Sequence, residues 1–305
     1  MTEEGDIGVN SPKAWILAAR PKTLAGAAVP VMIGVALAVS DADPYGGCKA
    51  LQPVAALLCL LFAFIMQIDA NFVNDFFDYA NGNDDREKRL GPKRACAEGW
   101  VTLNAMKHAI AATTILACLV GLPLVYYGGL EMLLVGILCV VFCFLYTTWL
   151  ASRGLGDLLV IIFFGLIPVA TTYYIQLHTL TLLVLWASLA CGIVIDSLLT
   201  INNFRDRDND RQSGKITLVV KVGERGGLRL YLATGWVACL MGLAFWFSGN
   251  VLAFLLPLVY LVLHNYTYLK IKRIRRGRAL NECLGETSRN IFLYGLLLSS
   301  GLLLL

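Results

Sequence analysis

Nine stretches of about 20 mostly apolar residues run through this 305-residue chain, and they leave its backbone few choices. Hydrocarbon offers no water to peptide groups, so a segment that crosses it must satisfy its N–H and C=O groups internally, as a helix does. The stretches cover roughly Leu24–Ser40, Ala50–Asn74, Ala105–Tyr127, Leu130–Trp149, Leu158–Gln176, Leu180–Ile201, Leu228–Phe247, Val251–Leu269 and Asn290–Leu305. Only 15 % of residues are charged, against about a quarter in a soluble domain. The predicted fold is an all-α polytopic membrane protein of nine transmembrane helices. It forms a single domain over 1–305, with a polar tail over 1–13.

Charge orients the predicted bundle. With nine spans, the N-terminus and alternate connections share one side, and 24 of the 25 Lys and Arg residues fall there. Lys49 is the exception. Basic residues mark the cytoplasmic face, so the N-terminus is expected inside and the C-terminus outside. No cleavable leader is evident, and the first apolar run reads as a retained helix. The nine cysteines are scattered without a CxxC pair, which predicts neither disulfides nor a cysteine-bound metal. The three histidines show no ligand spacing.

Two polar clusters break the apolar pattern. Asn71-Phe72-Val73-Asn74-Asp75-Phe76-Phe77-Asp78 ends the second run, and Asn202-Asn203-Phe204-Arg205-Asp206-Arg207-Asp208-Asn209-Asp210 ends the sixth. Carboxylates at the edge of a bilayer core are costly unless compensated. At about 100° per residue, Asn71, Asp75 and Asp78 fall in one helical stripe with Asn74 beside it. Asn202, Asp206 and Asp210 share a side likewise. Two such sets fit one shared cation site. Mg²⁺ takes one or two carboxylates and completes its octahedron with water and substrate phosphate. Capping of helix ends is the competing explanation for each cluster taken alone.

Both clusters run into basic loops. Arg86, Lys88, Arg89 and Arg94 follow the first, and Arg205, Arg207, Arg211 and Lys215 accompany the second. A diphosphate needs such donors, although topology alone explains many of them. Asn71, Arg86, Lys88, Arg89, Arg94 and Lys215 are the predicted diphosphate ligands. The run Lys270–Arg278 has no carboxylate set and reads as a contact with anionic lipid. Arg20-Pro21-Lys22 is either a topology anchor or the holder of an aromatic carboxylate. Asp69 and Asp196 lie deeper in their spans, without an assigned role. The clusters, 131 residues apart, also hint at a pseudo-repeat of spans 2–4 in spans 6–8.

Motifs along nearly the whole chain resemble the UbiA superfamily of intramembrane prenyltransferases, and within it the 1,4-dihydroxy-2-naphthoate polyprenyltransferases of menaquinone synthesis. They are Arg20-Pro21-Lys22-Thr23-Leu24, Asn74-Asp75-Phe76-Phe77-Asp78, Arg89-Leu90-Gly91-Pro92-Lys93-Arg94, Gly154-Leu155-Gly156-Asp157 and Asn202-Asn203-Phe204-Arg205-Asp206 through Asp210. The resemblance implies nine transmembrane helices around a central cavity in a bacterial cytoplasmic membrane, with a polyprenyl diphosphate bound with Mg²⁺ between the two Asp-rich motifs. It places Asn74 and Asp78 at the metal, with Asp84 as a further acid, and Asn202, Asp206 and Asp210 opposite. Asp75 joins this set from its place on the stripe. Asp78 and Asp206 are the expected catalytic acids. Arg20, Lys22, Tyr146 and Arg153 are expected around the acceptor. The implied reaction prenylates dihydroxynaphthoate with loss of CO₂ and diphosphate. The segment Thr147–Arg153 departs from the family's Gly-rich pattern, which leaves 4-hydroxybenzoate or homogentisate as alternative acceptors. A transporter of an anionic solute and a non-catalytic partner of quinone enzymes are the other classes considered. The expected partners are membrane lipid and the two substrates, with no nucleic acid.

Overall fold

The computed structural model describes residues 7–42, 51–82 and 89–304. Among them there is no strand. The helices are α1 (Pro12–Ala19), α2 (Leu24–Ser40), α3 (Pro53–Ala80), α4 (Leu103–Gly121), α5 (Leu124–Gly128), α6 (Glu131–Leu145) and α7 (Gly156–Ile161). They continue with α8 (Ile167–Leu177), α9 (Leu182–Gln212), α10 (Leu218–Met241), α11 (Leu243–Phe247), α12 (Val251–Leu255), α13 (Leu258–Ile274) and α14 (Leu280–Leu303). Among the described residues, eight helical stretches are long and apolar enough to cross a membrane. The ninth expected span is α14, whose first turns carry Glu282, Glu286 and Arg289 and lower its hydropathy.

Several helices extend past the apolar runs that announced them, for local reasons. Helices α3 and α9 have 28 and 31 residues and carry both polar clusters entirely on helix. Nothing in either sequence breaks the helix before Gly82 (φ 71°) and Gly214 (φ 77°), where the left-handed backbone favours glycine. The span α10 opens at Leu218 with a short helical turn that Thr217 caps by accepting from the Val220 N–H, and it kinks at Gly223 (φ 72°) before the helix runs on into the apolar stretch at Leu228. Thr102 and Thr181 cap α4 and α9 in the same way.

Small residues let the helices approach closely, as expected where lipid supplies no hydrophobic drive between them. A Cβ on Gly165 would lie 2.4 Å from the Cα of Gly192, and one on Gly295 would lie 2.8 Å from Val29 Cγ1. The main core gathers Val29, Ile33, Tyr173, Val194, Tyr260 and Tyr294 from α2, α8, α9, α13 and α14. Two π-helical turns, Tyr146–Leu150 and Ile162–Leu166, interrupt the regular helix beside the central cavity.

Candidate active site

The last turns of α3 distribute their polar side chains between scaffold and cavity. The Asn71 amide donates to Ala19 O and Thr23 Oγ1, both at 3.0 Å. It therefore pins the turn containing Arg20 and Lys22, and the expected diphosphate role falls to other groups. Asp75 is fully buried. Its two oxygens accept from the backbone N–H groups of Ala95 (2.8 Å) and Cys96 (3.0 Å). Both are committed to holding the loop after α3, and Asp75 is not at the cavity, against the expectation that it binds metal. Asn74 does line the cavity, and its Oδ1 accepts from Thr147 Oγ1 at 2.6 Å. Asp78 accepts from Arg94 Nη2 at 2.9 Å.

On α9 the organising residue is Arg205, only 3 % exposed. Its guanidinium donates to Asp206 through Nε (2.8 Å) and Nη2 (2.5 Å), to Asn202 Oδ1 (2.6 Å) and to Asn281 Oδ1 (2.9 Å). A planar fork bonded to two motif residues fixes their relative orientation. Asp210 lies 3.7 Å from Lys215 Nζ, and its Oδ2 is buried without a hydrogen-bond partner. Arg207 is spent on Phe204 O, Arg275 O and Glu224. Much of the basic run at 270–278 is paired internally: Lys270 with Glu282 and Glu286, Arg276 with Asp208.

Asn74 and Asn202, one from each cluster, line the same central cavity of about 1390 Å³, whereas the expected site residues Asp78, Asp206, Asp210 and Lys215 are not among its lining residues. Arg20, Lys22, Arg89, Lys93 and Arg94 also face it, as does Tyr146 at the first π-helical turn. Most of the remaining wall is apolar, with Phe62, Met66, Leu122, Phe142 and Phe163 among its residues. The cavity is thus polar at the motif end and oily beyond. Arg153 is not part of it: its guanidinium stacks over the Trp149 ring at 4.0 Å. Arg86, Lys88 and Asp84 lie outside the described residues. Among the described residues no three His, Cys, Asp or Glu side chains gather into a ready-made metal cage. Carboxylates here are interleaved with amides, and guanidinium groups hold Asp78 and Asp206 in place.

Sequence reasoning missed Thr147 and Asn281. The first was hidden in a segment that departs from the family pattern, and the second sits in a stretch without a recognisable motif.

An all-helical membrane bundle whose oily cavity ends in one amide from each of two acidic motifs and a cationic loop is built to hold an amphiphile with an anionic head. The chain belongs to the UbiA prenyltransferase family, whose model matches residues 27–294. It is 36 % identical over 253 residues to the 1,4-dihydroxy-2-naphthoate octaprenyltransferase of Escherichia coli, covering 79 % of this chain and 78 % of that one. Among solved structures it resembles a UbiA homolog from Aeropyrum pernix (TM-score 0.66, 15 % identity, 92 % of this chain and 97 % of that one). It also resembles a UbiA homolog from Archaeoglobus fulgidus bound to GPP and Mg²⁺ (TM-score 0.61, 13 % identity, 94 % and 99 %).

Proposed function

We propose that this protein transfers a polyprenyl group from a polyprenyl diphosphate to 1,4-dihydroxy-2-naphthoate, releasing diphosphate and CO₂, in a bacterial cytoplasmic membrane. The observation that carries the reading is the meeting of Asn74 and Asn202 at the polar end of one oily cavity. The activity named for the Escherichia coli relative supports the choice of acceptor.

The donor set fits Mg²⁺. Asn74, Asp78, Asn202, Asp206 and Asp210 offer only hard oxygen ligands, and the buried Oδ2 of Asp210 still wants a partner. Bound there with the diphosphate, Mg²⁺ would neutralise charge on the departing oxygens. Arg89, Lys93 and Arg94 line the cavity together with Asn74 and Asn202 and supply further positive charge to the leaving group. Asp78 holds Arg94 in that position. The prenyl C–O bond breaks with its electron pair leaving on the diphosphate oxygen. The ring carbon bearing the carboxylate then provides the pair for the new C–C bond. Cleavage of the bond to CO₂ returns a pair to the ring. The apolar wall excludes water from the prenyl cation, and the aromatic residues Phe142, Phe163 and Tyr146 in that wall are placed to stabilise it by cation–π contact. Arg20 and Lys22, at the polar rim, meet the acceptor carboxylate.

Purified protein incubated with Mg²⁺, geranylgeranyl diphosphate and, in parallel, dihydroxynaphthoate, 4-hydroxybenzoate or homogentisate tests the reading. Mass analysis should find a decarboxylated prenyl product from dihydroxynaphthoate and little from the others. Preferential prenylation of another acceptor would overturn the acceptor assignment, and no prenyl product at all would overturn the reaction.

A further inference from the structure

The loop that carries Arg89, Lys93 and Arg94 to the cavity is held at several points, Asp78 on Arg94 and Arg278 on Arg89 O among them, and two further anchors lie on either side of Gly91. One is Asp75, which takes the N–H groups of Ala95 and Cys96 at its far end. The other is Asn281, in the first turn of α14 and far away in sequence. Asn281 Nδ2 donates to Leu90 O at 2.8 Å, and its Oδ1 accepts from Arg205 Nη1 at 2.9 Å. The orientation of this amide is dictated by its partners, because a guanidinium can only donate and a carbonyl can only accept. Between the two anchors, Gly91 rests against the Arg205 guanidinium. A Cβ at Gly91 would come within 2.6 Å of Nη2. That guanidinium cannot retreat cheaply, since it is buried and bonded to Asn202, Asp206 and Asn281 at once.

One side-chain amide thus joins the cationic loop to the arginine that orients the second motif. We propose that Asn281, acting with Gly91 through Arg205, is a positioning residue that sets the spacing between the 89–94 cations and the Asn202/Asp206 pair, and so sets affinity for the diphosphate head rather than for the aromatic acceptor. The inference rests on the reading that the diphosphate binds between the two motifs. Asparagine suits the position because it donates and accepts from one planar group. Aspartate would keep the bond to Arg205, lose the bond to Leu90 and compete with Asp206 for the same guanidinium. Alanine at Gly91 would push against the same guanidinium at Nη2.

The test uses the full-length protein in detergent or nanodiscs with Mg²⁺. The probe is geranyl S-thiolodiphosphate, whose dissociation constant is read by calorimetry alongside both KM values and the melting temperature. Asn281→Asp and Gly91→Ala should each weaken the probe about tenfold or more while leaving the acceptor KM within about twofold. The double variant should fall short of the product of the two effects, as expected of residues acting through one partner. An unchanged probe affinity in a folded Asn281→Asp protein, equal rises in both KM values, or fully multiplicative effects would overturn the clasp. If Asn281→Asp does not fold, Gly91→Ala decides alone by the same affinity criterion. Asp206→Ala run in parallel separates the two levels: retained probe binding there removes the site itself, whereas loss there with normal Asn281→Asp binding removes only the clasp.

Discussion

Arg94 donates to the Asp78 carboxylate at 2.9 Å across sixteen residues of sequence, joining the last turns of α3 to the loop that follows them. Arg94 faces the cavity while Asp78 stands behind it. An acid of the first motif is therefore the support of a cation aimed at the ligand. Replacing Arg94 with Gln removes that charge without shortening the side chain much. The KM for prenyl diphosphate should rise ten- to a hundredfold, since a hydrogen bond to a charged group contributes about 1.5–3 kcal/mol. The acceptor KM should stay near its original value. Initial rates with each substrate varied in turn check this, and an effect confined to the acceptor would count against it.

Asp75 belongs to stability. Asp75→Ala leaves two buried N–H groups without their charged acceptor, which should destabilise the protein by about 2–4 kcal/mol. Asp75→Asn, with one acceptor oxygen left, should do less harm. Thermal unfolding reads both. Half-saturation by Mg²⁺, measured on whatever folded protein remains, should not move. A normal melting temperature combined with weakened Mg²⁺ dependence would return Asp75 to the metal.

The contact of Gly165 with Gly192 brings two backbones together without side chains between them. Gly192→Ala forces a Cβ to 2.5 Å from Ile161 O, and overpacking of this kind costs about 1–3 kcal/mol. Gly136→Ala is the matched control, because nothing lies within 4 Å of its Cβ position. The melting temperature should fall in the first variant and hold in the second. Equal behaviour would show that the α9 contact yields easily.

The distribution of 24 basic residues on one predicted side and one on the other implies that the polar motif end faces the cytoplasm. Single cysteines placed at Arg211 and Ser248 in a cysteine-free background should label differently in intact cells. An impermeant maleimide should reach Ser248→Cys and miss Arg211→Cys. The reverse pattern would invert the bundle.

Much of this was legible in the sequence because bilayer physics writes in long apolar runs. Eight of the nine spans stand out on hydropathy, and both motifs announce themselves as polar residues where apolar ones should continue. Helix ends were less legible. Continuation of α3 and α9 past the apolar core depends on where a left-handed glycine stops them, and the early start of α10 depends on the Thr217 cap. Helical spacing also placed Asn71 and Asp75 with Asp78, but it could not show that a loop some twenty residues on would claim Asp75. Arg153 had charge and position in its favour, and the Trp149 ring drew it away from the cavity. Asn281 gave no local signal, because its meaning lies in Leu90 and Arg205, which reach it only in the fold.

The central claim is that two motifs on α3 and α9 make one diphosphate site. The most direct measurement is prenyl transfer by Asp78→Ala and Asp206→Ala, each purified as a folded protein and assayed across Mg²⁺ concentrations to saturation. Loss of either acid should remove at least ~3 kcal/mol of transition-state stabilisation, a fall of roughly a hundredfold or more. Near-normal turnover by either variant at saturating Mg²⁺ would contradict a site shared by both motifs.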